Sequence, residues 1–259
     1  MGDLVAPLGS RAGMTGQHTD FLIEQARGEV ASWLAAHPAS FVSFSGGKDS
    51  LAVLALAREV NPDIPAVFYD SGCEFPQTLT YLAGLAERGV NVRVYPSDPP
   101  VLDLLEQSGH WHPGREKTRV PDLGVACVDR PLAAAMADLG AWNLFGLRAE
   151  ESKGRARHLV PRRGVVERTT GVCAGLTSFA AVWNWTTRDV HAWLGRQPLP
   201  INPLYDAMTR LGVPQQRQRV GMMVDGNGLT SGRWTYARAL APSRARQIET
   251  LLPLLAQFR

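Results

Sequence analysis

Residues 45–50, with the sequence Ser-Gly-Gly-Lys-Asp-Ser, combine the residue types that bind a phosphate group. The two glycines allow the backbone to approach an anion closely and to adopt a positive φ angle. Lys48 supplies a positive charge, and Ser45 and Ser50 supply hydroxyl donors. Because the first amides of a helix attract an anion, this segment predicts a phosphate-binding turn if a helix follows it.

The residues on either side of this segment predict a strand before it and a helix after it. Residues 41–44 (Phe-Val-Ser-Phe) are a short β-prone run, and residues 51–57 are apolar with helical periodicity. The spacing differs from the Walker pattern G-x-x-x-x-G-K-[ST] and from G-x-G-x-x-G. The alternative interpretation is a strand-to-helix turn in which the glycines are needed for steric reasons alone.

Further apolar runs predict a parallel sheet with helices between its strands. Near-continuous apolar runs are typical of strands that are buried on both faces. Strand and helix patterns alternate after residues 41–44, which indicates an α/β fold with a doubly wound, mostly parallel sheet. The ligand of such a sheet lies at the carboxyl ends of its strands. The later predicted strands are residues 64–69, 90–95, 141–147 and 179–183, the last of them at an edge of the sheet.

Polar residues follow the second and fourth predicted strands, at the end of the sheet where a ligand is expected. Asp70 and Ser71 come directly after the second strand, and Gly146 and Arg148 close the fourth. We expect Arg148 to neutralise a phosphate, and a long basic loop at residues 148–163 to reach the same crevice. The alternatives are an Asx-type turn at Asp70 and a solvated charged loop.

Length and composition predict an ordinary globular protein. The chain has 259 residues, of which 45% are hydrophobic and 20% charged. No apolar run approaches the ~20 residues that a membrane span requires, and residues 1–19 lack the features of a signal peptide. We therefore expect a cytoplasmic protein that has no membrane contact.

Charge is distributed unevenly along the chain. Residues 148–259 contain 17 Lys and Arg against 7 Asp and Glu, a net charge of +10, whereas residues 1–147 carry a net charge of −7. Almost all of these basic residues are Arg, which forms bidentate contacts with phosphate and sulfate. The distribution favours an anionic ligand near the C-terminal half, although a general preference for Arg over Lys would also explain the residue type.

Residues 45–50 resemble the PP-loop of the ATP pyrophosphatase superfamily. Residues 70–78 are similar to the Asp-Thr-Gly-x-x-Phe-Pro-Glu-Thr segment of its phosphoadenylyl-sulfate (PAPS) reductase family. Residues 146–152 resemble the family's Gly-[Ile/Leu]-Arg-x-x-Glu-Ser segment, and residues 183–193 and 202–206 resemble its Trp-Thr-x-x-Asp-Val and Asn-Pro-Leu-Tyr-Asp segments. The chain is therefore identified as a member of the PAPS reductase-like family, which implies an adenine nucleotide α-hydrolase-like (Rossmann-like) fold.

The resemblance also implies a function and a set of site residues. The expected function is to bind ATP, or PAPS or adenylyl sulfate, and to cleave it at the α-phosphate, with adenylyl transfer and pyrophosphate release in sulfur metabolism or thiolation. Lys48, Asp49 and Arg148 are the expected catalytic residues, and Asp49 is the candidate ligand of a nucleotide-bound Mg²⁺. The expected nucleotide-binding residues are Ser43, Ser45, Gly46, Gly47, Lys48, Asp49, Ser50, Asp70, Ser71, Gly146, Arg148, Glu151, Arg155 and Arg157.

The positions of the cysteines separate three hypotheses. The family's reductases carry a nucleophilic cysteine near the C-terminus, whereas this sequence has no cysteine after Cys173. Adenylyl transfer is therefore the first hypothesis, and an iron–sulfur cluster is not expected. A PAPS or adenylyl-sulfate reductase-like enzyme that uses Cys127 or Cys173 is the second. The third is a non-catalytic nucleotide-binding subunit of a nucleic-acid modification complex.

The expected domain organisation has three parts. They are a disordered leader at residues 1–17, a PP-loop nucleotide-binding domain at residues 18–206, and a basic helical or irregular extension at residues 207–259. The leader is rich in Gly and polar residues, which is typical of disorder. Besides the anionic nucleotide, a second copy of the chain, another protein or a nucleic acid are possible partners.

Overall fold

The computed structural model describes residues 9–225, 229 and 232–258, with side chains from residue 16 onward. The apolar runs form one six-stranded sheet in the order β3-β2-β1-β4-β6-β5. All neighbouring strands are parallel except β5, which runs antiparallel to β6. This α/β sheet agrees with the predicted fold class. Its strands are β1 (Ser40–Ser43), β2 (Ala66–Asp70), β3 (Val92–Pro96), β4 (Trp142–Phe145), β5 (Val165–Glu167) and β6 (Thr177–Phe179).

Helices connect the strands and continue beyond the sheet. Among the described residues, no helix is long and apolar enough to cross a membrane. A π-helical turn at Val125–Asp129 leads into α5, and short 3₁₀ turns flank several other helices. The helices are α1 (Gly9–Ala36), α2 (Lys48–Val60), α3 (Pro76–Glu87), α4 (Val101–Gln107), α5 (Arg130–Leu139), α6 (Lys153–Leu159), α7 (Thr187–Leu194), α8 (Leu204–Arg210), α9 (Arg233–Leu240) and α10 (Pro242–Leu251).

The order of the strands creates a crevice between β1 and β4. The chain runs from β1 outward through β2 and β3, then returns to the other side of β1 as β4. Ser43 at the end of β1 is in register with Phe145 at the end of β4. The loops that leave two such strands diverge, so ligands of doubly wound sheets bind there.

Three apolar clusters hold the molecule together. The largest fills the sheet face that is covered by α1, α2 and α7, and a smaller one packs α5 on the opposite face. The third joins the C-terminal helices to α4 and to Phe75, and contains the buried Trp234 and Met208. The residues after 206 therefore share a core with the loop that follows β2.

The structure corrects three sequence expectations. The predicted edge strand at residues 179–183 shares only Phe179 with the observed strand β6, which ends there and is internal. The edge strand is β5, whose three residues are too short for a periodicity signal. The predicted loop at residues 148–163 is largely helical, because Ser152 caps α6 by accepting from the amide of Arg155. Residues 9–17, predicted to be disordered, belong to α1, and the rest of the predicted leader, residues 1–8, lies outside the described residues.

Candidate functional site

The two glycines of residues 45–50 shape a tight turn between β1 and α2. Gly46 has a φ angle of +71°, and a Cβ atom there would lie 3.0 Å from Thr78 Cγ2. A Cβ atom at Gly47 would lie 3.3 Å from the hydroxyl oxygen of Tyr205. Glycine is favoured at Gly46 by its positive φ angle, whereas at Gly47 a side chain would crowd the hydroxyl of Tyr205.

The hydroxyl of Ser50 connects two backbone groups of the turn. Its Oγ accepts from the amide of Ser45 at 3.2 Å and donates to the carbonyl of Gly47 at 3.0 Å. The amides of Gly46, Gly47 and Asp49 donate to no acceptor within the part of the chain that the structure describes. Three backbone donors around the start of α2 therefore have no partner in the described part of the chain.

Asp49 lies between two cations. Its Oδ2 is 2.8 Å from Lys48 Nζ, and its Oδ1 is 2.8 Å from Arg148 Nε. Arg148 comes from the turn after β4, so the pair joins the two sides of the crevice. Both oxygens of the carboxylate are occupied by protein donors, and the Lys48 side chain is 11% exposed.

Arg148 is 3% exposed and uses its guanidinium on protein acceptors. Its Nη1 lies 2.5 Å from Glu150 Oε2, and its Nη2 lies 3.1 Å from Thr187 Oγ1. Burial acts to lower the pKa of Arg148, but the neighbouring carboxylates outweigh it and raise this pKa. Arg148 thus fixes Asp49 and the start of α7, and its direct contact with a phosphate stays a prediction.

The end of β4 packs directly on the start of α2. A Cβ atom at Gly146 would lie 2.4 Å from the amide nitrogen of Ser50, too close for any side chain. Glu151 accepts from the amide of Arg148 at 3.2 Å and forms an ion pair with Arg155. Arg157 is exposed to solvent. Of the predicted arginines, Arg148 therefore lies at the turn, Arg155 is committed to Glu151, and Arg157 faces outward.

The segment after β2 carries a pair of carboxyl groups. Asp70 Oδ1 accepts from the amide of Gly72 at 2.8 Å, which is the Asx-type turn of the alternative interpretation. Ser71 Oγ donates to Glu74 Oε1 at 2.6 Å. Burial, reinforced by the neighbouring Asp70, raises the pKa of Glu74 to about 7. The sequence reasoning missed Glu74, although a carboxyl group inside an otherwise apolar and small segment was a visible signal.

Two cavities adjoin the turn, and a third lies next to one of them. One of about 220 Å³ lies beside Ser45 and Glu74, and one of about 610 Å³ lies over the ends of β1 and β4. These two share Ser43, Tyr69 and Val128 as walls. The remaining one, of about 300 Å³, is the polar one, and it is lined by Lys48, Arg148, Glu150, Glu151, Thr187, Gln215, Gln216 and Arg219.

Comparison with known proteins assigns this arrangement to a family. The family description "Phosphoadenosine phosphosulfate reductase domain" matches residues 39–215, which include β1, the turn, the crevice and α7. The chain belongs to the PAPS reductase family. This confirms the family that residues 45–50, 70–78 and 146–152 indicated.

Two curated relatives illustrate how far the family likeness extends. The PAPS reductase of Vibrio parahaemolyticus serotype O3:K6 is 29% identical over 175 residues, which are 64% of this chain and 61% of that protein. The PAPS reductase of Citrobacter koseri is 28% identical over 194 residues, which are 71% of this chain and 72% of that protein. The match to the Vibrio protein therefore spans about three fifths of its length.

Solved structures confirm the fold. PAPS reductase from Candida auris, in a phosphate complex, superposes with a TM-score of 0.54 at 19% identity, over 80% of this chain and 94% of that one. FMN adenylyltransferase from Candida glabrata, with FMN and an ATP analogue, gives a TM-score of 0.52 at 15% identity, over 73% and 60% of the two chains. At these identities the likeness concerns the fold alone.

The cysteines of this PAPS reductase-family chain are buried thiols. Burial raises the pKa of Cys73 to about 12 and that of Cys127 to about 11, and it also raises the pKa of Cys173. Cys173 Sγ donates to the carbonyl of Asp129 at 3.1 Å. The thiolate is the nucleophilic form, so these surroundings disfavour attack by Cys127 or Cys173.

The described residues do not present a preformed metal site. In the ranges that the structure covers, no group of three or more His, Cys, Asp or Glu side chains is placed to hold a metal ion. Asp49, the predicted Mg²⁺ ligand, has Lys48 on one oxygen and Arg148 on the other. Both oxygens thus already contact a cation in this structure, and the role of Asp49 as a Mg²⁺ ligand stays a prediction.

Two residues near the turn, Asn202 and Tyr205, were missed as site residues. Asn202 Nδ2 donates to the carbonyl of Gly46 at 3.3 Å and to Thr78 Oγ1 at 3.1 Å. The hydroxyl of Tyr205 accepts from the amide of Lys48 at 3.1 Å. Asn202 and Tyr205 belong to the Asn-Pro-Leu-Tyr-Asp segment. Its resemblance to the family was a signal in the sequence, but it did not indicate a contact with the turn.

Proposed function

We propose that this PAPS reductase-family protein is an adenylyl-transferring enzyme that binds ATP at residues 45–50 and cleaves it at the α-phosphate. The supporting observation is the set of free amides at Gly46, Gly47 and Asp49, next to Lys48 and at the crevice between β1 and β4. Backbone donors and a lysine at a helix N-terminus suit a multiply charged phosphate chain. Family membership favours a reaction in sulfur metabolism.

The turn is arranged to stabilise a leaving pyrophosphate. A nucleophilic acceptor forms a bond to the α-phosphorus while the bond to the β-phosphate oxygen breaks, and the acceptor's proton passes to solvent. The growing negative charge on pyrophosphate meets the amides of the turn and Lys48, which transfers its contact from Asp49 to phosphate. Arg148 continues to hold Asp49, so the carboxylate is not left without a partner.

The nucleoside would occupy the cavities that adjoin Ser43 and Tyr69. Their walls combine the apolar Phe68 and Val128 with the hydroxyl groups of Ser43, Tyr69 and Ser71. Ser43 Oγ lies 2.8 Å from the Tyr69 hydroxyl, which fixes both groups at the end of β1. Apolar walls with a few oriented polar groups are typical of sites for small planar ligands.

The reductase-like alternative has one observation in its favour. Cys127 lines the 220 Å³ cavity beside Ser45, where it could meet a bound nucleotide. The raised pKa of its thiol argues against it, because a nucleophilic cysteine must ionise. A non-catalytic subunit would bind the nucleotide at the same residues, 45–50, without cleaving it.

Turnover of α-labelled ATP with Mg²⁺, alone and with candidate acceptors, tests the proposal. The parent protein should form AMP or an adenylylated product together with pyrophosphate. Lys48→Ala should lower the rate at least 100-fold, since it removes the charge nearest the leaving group. Lys117→Ala, in an exposed loop away from the turn, is the matched control and should leave the rate unchanged.

The same assay separates the alternatives. Tight ATP binding without any turnover would contradict a stand-alone enzyme and favour the non-catalytic subunit. Consumption of PAPS or adenylyl sulfate, lost in Cys127→Ser and accompanied by no turnover of ATP, would instead support the reductase-like enzyme.

A further inference from the structure

The hydroxyl of Tyr205 lies inside the phosphate-binding turn, although it comes from a segment 157 residues further along the chain. Its oxygen accepts from the amide of Lys48 at 3.1 Å and would lie 3.3 Å from a Cβ atom at Gly47. The ring packs against the C-terminal apolar cluster that contains Met208 and Trp234. Tyr205 therefore joins the C-terminal apolar cluster to the turn.

The position of this hydroxyl is coupled to the turn itself. The amide of Tyr205 donates to the carbonyl of Asn202 at 3.1 Å, and Asn202 Nδ2 donates to the carbonyl of Gly46. The hydroxyl hydrogen of Tyr205 has no acceptor among the residues that the structure describes. Burial raises the pKa of Tyr205 to about 12, so the group keeps its proton near neutral pH.

We propose that Tyr205 is an anion-binding residue whose hydroxyl accepts the Lys48 amide and donates its own hydrogen to the phosphate held in the turn. The hydroxyl would add a fourth donor to the amides of Gly46, Gly47 and Asp49. A hydrogen bond to a charged acceptor is stronger than one between neutral groups. The identity of that phosphate as pyrophosphate rests on the proposed function.

A different role for the Tyr205 hydroxyl predicts the opposite change in affinity for the anion. If Tyr205 only occupies the Lys48 amide until a ligand arrives, removal of its hydroxyl would free that amide and tighten anion binding. The direction of the change in affinity therefore decides between a donor and a placeholder.

Calorimetric titration of the full-length protein with inorganic pyrophosphate tests the inference. Tyr205→Phe keeps the ring and removes the hydroxyl, so pyrophosphate should bind about 10-fold more weakly, and the ligand-induced rise in Tm should shrink. Tyr81→Phe is the matched control, because the Tyr81 hydroxyl donates to the carbonyl of Pro200, outside the turn. It should bind pyrophosphate like the parent protein.

Equal or tighter binding by Tyr205→Phe would overturn the inference while leaving the proposed function intact. Failure of the parent protein to bind pyrophosphate would overturn both. If Tyr205→Phe does not fold, the parent protein made with 3-fluorotyrosine gives a second measurement. Its more acidic phenols are stronger donors, so pyrophosphate should bind more tightly, and unchanged or weaker binding would overturn the inference.

Discussion

At the scale of single residues, Arg148 holds the charged groups of the site in place through ion pairs with Asp49 and Glu150. It is nearly fully buried, and it contacts Asp49, Glu150, Thr187 and the carbonyl of Trp185. A buried arginine with several fixed acceptors holds a site in shape rather than moving with a ligand. The role we infer for Arg148 is thus to position Asp49, in addition to any direct contact with phosphate.

Replacement of Arg148 should therefore affect folding as well as activity. Arg148→Ala leaves Asp49 and Glu150 without their guanidinium partner and should lower the free energy of unfolding by about 3 kcal/mol. Urea denaturation measures this change. Arg157→Ala, at an exposed position of α6, should stay within about 0.5 kcal/mol of the parent. Equal effects of the two substitutions would contradict the structural role of Arg148.

Glu74 predicts a pH dependence of stability. Burial raises its pKa to about 7 in the folded state, so folded Glu74 binds its proton more tightly than the unfolded chain does. Its contribution to stability is present below the unfolded pKa of about 4.3 and is lost as the pH rises through about 7. Glu74→Gln should therefore reduce the fall in Tm between about pH 5 and about pH 8. An unchanged fall, with Glu87→Gln as the exposed control, would contradict this assignment.

His191 offers a reporter of charge at the turn. Burial lowers its pKa, and the positive charges of Lys48 and Arg148 lower it further. A pyrophosphate bound at the turn would offset those charges, so the pKa of His191 should rise on binding. An NMR titration of the imidazole with and without pyrophosphate measures this shift. In ligand-free Lys48→Ala the pKa should already be higher than in the parent, and no difference there would argue against the proposed electrostatic coupling.

At the scale of elements, the site depends on the contact between β4 and α2. Gly146→Ala would place a methyl group 2.4 Å from the amide nitrogen of Ser50 and 2.6 Å from the carbonyl carbon of Asp49. The backbone must move, so we expect a loss of at least about 2 kcal/mol of stability together with weaker pyrophosphate binding. Gly154→Ala in α6, with 3.8 Å to its nearest neighbour, should instead be neutral or stabilising. Denaturation and calorimetry on both variants test this contrast.

Local signals explain which elements the sequence predicted correctly. The β1-turn-α2 unit combines apolar periodicity with adjacent glycines, and both signals lie within about 20 residues. The strand β5 has three residues and α6 has seven, so neither is long enough for a clear period. The failed predictions of the edge strand and of a loop at residues 148–163 both concern such short elements. Their structure depends on packing against the rest of the chain.

Contacts between distant segments explain what the sequence did not reveal about the site. The approach of Arg148 to the turn could be predicted because both follow strands of one parallel sheet, whose carboxyl ends lie at the same edge. The approach of Tyr205 to Lys48 spans 157 residues and depends on how α8 packs, which no local pattern reports. Glu74 gains its raised pKa from burial, which is likewise a property of the folded chain.

At the scale of the whole molecule, the residues after 206 pack against the PP-loop domain. They share an apolar cluster with α4 and Phe75, and Arg219 lines the polar cavity beside Lys48. Arg148 and Arg219, two of the 17 basic residues in the range 148–259, line this cavity together. The predicted domain boundary at residue 206 stays a prediction, as does any contact between the basic half and a nucleic acid.

A crystal structure of the protein with α,β-methylene ATP tests the central claim most directly, because this analogue resists cleavage at the α-phosphate. Our account predicts terminal phosphate oxygens about 3 Å from the amides of Gly46, Gly47 and Asp49, with Lys48 turned from Asp49 to phosphate. A nucleotide bound with its phosphates elsewhere and residues 45–50 unchanged would contradict the account.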